Sequence, residues 1–273
     1  MSGRTEFAHL LTRVTTLLAR DVGRRCEARR TLVFAPHPDD EVLGCGGTIA
    51  RKVRAGAEVQ IVFMTDGSGS HAELIDPQEL AEIRRIEAND ANRILGVSAE
   101  HVVFLGFRDG ALENHLTQAT QQVADILAAY SPDDVFVPHR ADRLSDHVAT
   151  FEIVAAALTR QPRQITLYEY PIWLWNTWPW TAGGPVRGAS FVATIAGRLL
   201  DVLRLVGGCR SKVDISAVRE YKLAALDAYR SQMQRRAGAA SWSILGDVSN
   251  GDFLRCFGGA IEVFRRSQRP AAT

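Results

Sequence analysis

From residue 31 onward, short runs of consecutive apolar, often β-branched residues alternate with longer stretches whose apolar positions recur every three or four residues. The short runs read as strands buried on both faces, and the longer stretches as amphipathic helices. Thr31 to Ala35 is the first strand, and a helix from about Gly46 to Ala55 comes next after a glycine-rich turn. Glu58 to Thr65 is the second strand, ended by Asp66-Gly67. Gln78 to Leu95 reads as a long helix, with Leu80, Ile83, Ile86, Ala91, Ile94 and Leu95 apolar and Gly96 as its C-cap. Strands at Val102 to Leu105, Asp134 to Pro138 and Ile165 to Tyr170 continue the pattern, with helices at Thr117 to Tyr130 and about Asp146 to Leu158 between them.

Repeated strand-then-helix units place the chain in the α/β class, with a mostly parallel sheet covered by helices on both faces. With a 3-2-1-4-5 strand order, the first and fourth strands are neighbours where the order reverses. Ligands bind at such a point, outside the carboxyl ends of the strands. The loops after Ala35 and after Val137 are therefore the first places to look for chemistry. Past Tyr170 the alternation stops. Pro171 to Gly188 is irregular and rich in Trp, Pro and Gly. Beyond it lie an amphipathic helix at Ala193 to Val206, a short run at Lys212 to Ser216, a helix from Ser216 to Gln232 and a closing segment at Asp252 to Arg265, and residues 267–273 read as frayed. No composition shift marks a second domain, so 1–273 reads as one: an N-terminal amphipathic helix within 1–29, a core at 30–170 and an extension at 171–273.

Charge and composition narrow the class further. The 32 Lys+Arg and 31 Asp+Glu leave a net charge of +1, and 46% of the 273 residues are hydrophobic. That balance argues against a nucleic-acid partner, which needs a concentrated basic face, and against disorder. Ala189 to Val206 is hydrophobic, but Arg198, Asp201 and Arg204 recur in it at helical spacing, so it reads as a one-faced helix and not a membrane span. Ala8 to Ala19 is interrupted by Arg13 and lacks a cleavage pattern, which makes it an amphipathic helix and not a signal peptide. Cys26, Cys45, Cys209 and Cys256 form no C-x-x-C pair, as expected of a reducing, cytoplasmic setting.

The first loop, Ala35-Pro-His-Pro-Asp-Asp-Glu41, puts three acids and an imidazole at the end of a buried strand, stiffened by proline. The second, Pro138-His-Arg-Ala-Asp-Arg-Leu-Ser-Asp-His147, adds His139, Asp142, Asp146 and His147 at the same end of the sheet. Two histidines and one carboxylate with an open position make a recurrent catalytic zinc arrangement. His37 and Asp40 can supply two of these ligands, while spacing leaves His139 and His147 open as the third. Asp146 can equally cap the following helix. Zinc lowers the pKa of bound water to roughly 7 and polarises a carbonyl. A carboxylate off the metal must then take the water proton. Asp39 and Asp40 are adjacent and cannot both face the metal alike, so one ligand and one base is the economical division.

Ala35 to Glu41, with Gly44 and Gly46-Gly47 after it and Asp146-His147 after the fourth strand, resembles the PIG-L/LmbE-like family of zinc-dependent N-acetylglucosaminyl deacetylases. The likeness runs from about residue 30 to 170 and includes Arg84-Arg-Ile-Glu87 and the loop Gly106 to Leu112. The resemblance implies a Rossmann-like three-layer α/β/α fold, with zinc held by His37, Asp40 and His147 and with Asp39 as general base. It implies that Asp146 supports the metal-site network and that Arg84 and Asp109 line a sugar subsite. One departure stands out: the family often carries a His three residues before its last ligand, where this chain has Leu144. Zinc, His139 or Arg140 would have to serve in its place, or Asp39 would carry both proton transfers.

The expected activity is removal of an acetyl group from an N-acetylated amino sugar or a glycoconjugate carrying one. Tyr168 to Trp180 holds four of the five tryptophans, which either stack on a sugar or pack the extension onto the core. Trp173 and Trp175 are nearest the sheet end, and Trp173 is the substrate-binding candidate. Two other readings use the same residues: a sugar-binding protein that lost the chemistry, which Leu144 favours, and a two-His, one-carboxylate Fe(II) enzyme. Iron or another divalent ion would suit the same donors. A nucleotide-binding reading fails because Gly44-Cys-Gly-Gly47 lacks the G-x-G-x-x-G spacing.

Overall fold

The computed structural model describes residues 3–181, 191–236 and 241–271. Helix α1 (Gly3–Leu18), the two-residue strand β1 (Arg20–Asp21) and the single turn α2 (Gly23–Cys26) precede the alternation. It then runs β2 (Thr31–Ala35), α3 (Asp40–Arg54), β3 (Val59–Thr65), α4 (Pro77–Leu95), β4 (Val102–Phe107), α5 (Leu116–Tyr130), β5 (Asp134–Pro138), α6 (Ser145–Leu158) and β6 (Ile165–Tyr170). The extension adds α7 (Phe191–Leu203), β7 (Ser211–Asp214), α8 (Arg219–Ala228), α9 (Arg230–Met233), α10 (Asp252–Arg255) and β8 (Ile261–Arg269).

Among the described residues, the eight strands belong to one sheet in the order β4-β3-β2-β5-β6-β8-β7-β1. The first five are parallel neighbours, in the 3-2-1-4-5 order supposed above. β8 runs antiparallel to both β6 and β7, so the extension widens the sheet. β2, β5 and β6 are buried along their whole length, which is why most of their residues are apolar on both faces; Asp134 and Glu169, the buried acids among them, are paired with Lys52 and Arg140. Within β2 the pleat sends Val33 and Ala35 to the face covered by α3, α4 and α8, and Leu32 and Phe34 to the face covered by α5 and α6. No helix among the described residues is long and apolar enough to cross a membrane.

Several boundaries differ from the sequence reading, each for a tertiary reason. The helix expected from Gly46 begins at Asp40 and kinks at Cys45 (φ −149°, ψ 21°). The kink frees backbone groups that buried partners take up. Glu262 of β8 accepts from the N–H of Gly47 (2.9 Å) and Thr48 (2.8 Å), and Lys222 of α8 donates to the Leu43 carbonyl (3.0 Å) and to Glu262 (2.7 Å). A Cβ on Gly44 would lie 2.3 Å from the Tyr170 ring, so that glycine is required by close packing. The helix expected at Ser216 to Gln232 breaks at Tyr229, whose hydroxyl donates to the buried Glu41. The tail expected to fray from residue 267 instead pairs through Arg269, opposite Ile165. Residues 182–190, much of the irregular stretch, lie outside the described residues. On α7, Asp201 is buried while Leu199, Leu200 and Leu203 face outward, so core cover does not account for them.

Candidate active site

The reversal of strand order falls between β2 and β5, and both loops of interest leave the sheet there. After β2 the chain makes a tight turn and enters α3 at once. This puts Asp39 at φ 121°, a left-handed conformation rare for a residue with a Cβ and costing about 1–3 kcal/mol. Glu41 holds that turn from below, its Oε2 accepting from the Asp39 N–H at 3.2 Å while Oε1 takes the Tyr229 hydroxyl and Asn92. After β5, the His139 N–H donates to the Tyr170 carbonyl (2.8 Å), which turns the second loop back over the end of β6. That loop carries Asp142, and the first turn of α6 then presents Asp146 and His147.

The two loops meet as one cluster. His37, Asp40 and His147 each offer a ligand atom, all within 4.8 Å of one another. Asp40 Oδ2 lies 3.1 Å from His37 Nδ1 and 3.2 Å from His147 Nε2. His147 is fully buried, and its Nε2 makes no hydrogen bond. A buried imidazole nitrogen with no aligned hydrogen bond, set against a carboxylate at 3.2 Å and beside a second imidazole, is what a divalent cation would satisfy, and the donor set suits zinc or Fe(II). The other ring nitrogen of each histidine is held by an acid. Asp142 meets His147 Nδ1 at 3.0 Å, and Asp146 and Asp109 meet His37 Nε2 at 3.1 and 3.2 Å. Such partners fix ring orientation and raise ligand basicity. His37, Asp109 and Asp146 form a second grouping close enough to share an ion. Asp146 is already committed there, accepting from the N–H of Gly110 (2.7 Å) and Leu112 (3.1 Å). It therefore ties the loop after β4 to the site and does not cap its own helix.

Electrostatics follow from this packing. Burial alone would lower the His37 imidazole, but hydrogen bonds to Asp109, Asp146 and Asp40 hold it well above its ordinary value. Burial opposes the charge on His147 too, yet the charge of Asp40 and the bond to Asp142 raise it to about 9. Asp40 is pulled down by both imidazoles against its own burial. Protons on the two rings thus stand in for the positive charge a cation would bring. Asp39 behaves oppositely: burial and the neighbouring Asp40 charge push its carboxyl well up, against a downward pull from Arg84 and His37.

A cavity of about 510 Å³ opens over the cluster, with His37, Asp39, Asp40, Arg84, Asp109 and Trp173 on its wall. Leu144 lies on this wall as well. His139 and Arg140 do not. The His139 ring is turned back to accept from the Ala141 N–H (3.1 Å), and Arg140 makes a bidentate pair with the buried Glu169. Of the two histidines left open by spacing, His147 joins the cluster. Trp175 is buried against Trp180 in an edge-on contact (5.2 Å) and is not on the wall. Of the two tryptophans, then, only Trp173 can meet a ligand, its ring backed by Phe253 (4.8 Å). The motif Arg84 to Glu87 divides its labour: Arg84 faces the cavity, while Glu87 accepts from the N–H and hydroxyl of Ser231 at the start of α9.

Sequence reasoning assigned no role to Asp142, which also accepts from the N–H of Leu174 (2.8 Å) and so pins the segment carrying Trp173. Its place between two candidate histidines was the available signal. Gln232, Leu245 and Phe253 complete the wall from the extension, and nothing in their local sequence marks them.

Comparison with known proteins places the chain among deacetylases. The family described as PIG-L: GlcNAc-PI de-N-acetylase matches residues 32–158. The chain is 32% identical over 152 residues to an uncharacterized deacetylase, YaiS, of Escherichia coli (strain K12), spanning 54% of this chain and 75% of that one. It is 31% identical over 171 residues, 52% of this chain, to the 1D-myo-inositol 2-acetamido-2-deoxy-alpha-D-glucopyranoside deacetylase of Mycobacterium sp. (strain KMS), of which it spans about half, 54%. Among solved structures, N,N'-diacetylchitobiose deacetylase from Pyrococcus horikoshii shares the fold, with a TM-score of 0.64 at 23% identity over 98% of this chain and 93% of that one. On the family match and on the Escherichia coli relative, the chain belongs to the PIG-L family of deacetylases.

Proposed function

We propose that this protein is a metal-dependent amidohydrolase that removes the acetyl group from an N-acetylated amino sugar, or from a glycoconjugate carrying one. The observation that carries the reading is a two-histidine, one-carboxylate donor set, with Asp40 and His147 buried and His37 partly so, beside a backbone-strained carboxylate, Asp39, that shares one cavity wall with His37 and Asp40. The name of the mycobacterial relative, a deacetylase of a 2-acetamido-2-deoxy sugar, supports the substrate class. Unpaired Cys45, Cys209 and Cys256 support a reducing, cytoplasmic setting.

His37, Asp40 and His147 would hold the cation, zinc by the family resemblance, which when bound would polarise the acetamide carbonyl and acidify water. Asp39 accepts the proton of the attacking water as the new C–O bond forms. It returns that proton to the sugar nitrogen as the C–N bond breaks, giving acetate and a free amine. Leu144 has no proton to give, and His139 and Arg140 face away from the cavity, so both transfers fall to Asp39. Arg84 and Asp109 take sugar hydroxyls, and the Trp173 ring offers an apolar face. Asp142 and Asp146 keep the two imidazoles in register.

Asp39→Ala tests the assignment. Acetate release from N-acetylated amino sugars is expected to fall by about 10²-fold or more, with the zinc content measured by elemental analysis unchanged. Full activity in this variant would exclude the mechanism. A zinc-loaded protein that binds such sugars in calorimetry but releases no acetate would favour the binding-protein reading instead.

A further inference from the structure

Ser70 and His71 lie in the loop between β3 and α4, outside the cation-binding set and outside both acidic loops. Ser70 is on the cavity wall with Arg84. His71 stands behind it, 4% exposed and stacked on Trp242 with ring centroids 4.0 Å apart and planes 12° apart. Three contacts decide the chemistry: His71 Nε2 is 2.9 Å from the Ser243 carbonyl oxygen, His71 Nδ1 is 2.6 Å from Ser70 Oγ, and Arg84 Nη2 donates to Ser70 Oγ at 3.0 Å.

A carbonyl oxygen has no proton to give, so His71 Nε2 must carry one. In the neutral ring Nδ1 is then bare, and the hydroxyl proton of Ser70 fills the short contact. Arg84 occupies one of the two oxygen lone pairs. Ser70 is left with one lone pair and no proton for anything entering the cavity. We propose that Ser70 is a substrate-binding residue locked as a hydrogen-bond acceptor, recognising a hydroxyl or amide N–H of the sugar and disfavouring carbonyl, carboxylate or phosphate oxygens at that point. The proposal rests on the reading of the cavity as an amino-sugar site and adds its polarity at one position. His71 and the Ser243 carbonyl are positioning groups that never touch substrate. Burial holds the His71 imidazole below its ordinary value and Arg84 adds to this, against the opposing bond to Ser243, which agrees with a neutral ring.

The test uses the full-length zinc-loaded protein with the methyl glycoside of N-acetylglucosamine and its monodeoxy counterparts. In the parent protein one deoxy compound should lose about tenfold in kcat/KM, the worth of one hydrogen bond. Ser70→Ala should show that loss on the parent sugar, through KM more than kcat, and no further loss on that deoxy compound. His71→Phe, which keeps the stack on Trp242 and frees the Ser70 proton while leaving its lone pair, should lose less than Ser70→Ala on the parent sugar and narrow the gap to the deoxy compound, and His71→Asn, which restores an acceptor beside Ser70, should recover the parent discrimination. Equal discrimination across the deoxy series by Ser70→Ala and the parent overturns the proposal. Independently of turnover, a long-range proton–nitrogen NMR spectrum should show His71 protonated at Nε2 and bare at Nδ1 near neutral pH. The opposite tautomer or a doubly protonated ring also overturns it. Absence of turnover by the parent protein on this glycoside and on N-acetylated glycoconjugates alike would instead remove the amidohydrolase reading, leaving the ring spectrum to decide the state of Ser70.

Discussion

Leu144 sits on the cavity wall, 38% exposed, where the family resemblance leads one to expect an imidazole. Its effect on the chemistry is subtractive: the wall near the donor set loses a proton donor, and Asp39 has to act in both directions. Leu144→His should therefore raise kcat/KM for acetate release by about tenfold or more, with cation content unchanged, as read by elemental analysis alongside the rate. An unchanged rate would show that Asp39 already delivers the second proton without hindrance. The residues of the first loop were readable because acids and an imidazole packed after a buried strand have few structural uses. The choice of His147 over His139 came only from the family resemblance, because both follow the same strand and spacing does not separate them, whereas the turn of the His139 ring toward Ala141 does.

The kinked helix α3 is what carries Asp40 to the imidazoles. Its break at Cys45 is closed by an ion pair between Lys222 and Glu262, both almost fully buried, with Glu262 also serving as acceptor for the restarted helix. Lys222→Met would leave a buried carboxylate without its counter-charge, and we expect a loss of about 3–5 kcal/mol, read from urea denaturation. Adding Glu262→Leu should recover only part of that loss, since the N–H groups of Gly47 and Thr48 then go unsatisfied at about 1–3 kcal/mol each. Full recovery by the double variant would mean the kink does not depend on this acceptor. In the sequence, the glycines around Cys45 read as a turn before a helix. What makes them part of the helix is Glu262, 215 residues from Gly47 along the chain.

Across the whole molecule, the cavity is built from both halves of the chain: Arg84 and Asp109 from the alternating core, Trp173, Leu245 and Phe253 from the extension. The two neighbouring tryptophans should separate function from packing. Trp173→Ala is expected to raise KM for an N-acetylated sugar by about tenfold through lost apolar contact, with only a small change in melting temperature. Trp175→Ala, which empties a buried site beside Trp180, should cost about 3–5 kcal/mol of stability and leave the KM of the folded protein near its parent value. Steady-state kinetics and thermal melts on both variants check this, and the reverse assignment of effects would place the sugar elsewhere.

Residue order along the chain was enough for the α/β class, the end of the sheet where the chemistry lies, and most of the residues that meet there. These depend on local period and on short motifs, which act over a few residues. Folding was needed to turn the His139 ring away from the donor set that the resemblance had drawn with His147, to bury Trp175 while leaving Trp173 on the cavity wall, to set Asp142 against His147, and to bring in strands and a wall from the extension. Each of these turns on contacts between distant segments, such as the Tyr229 hydroxyl on Glu41 and the Asp142 carboxylate on the Leu174 N–H, whose energy exists only once the sheet has brought them together.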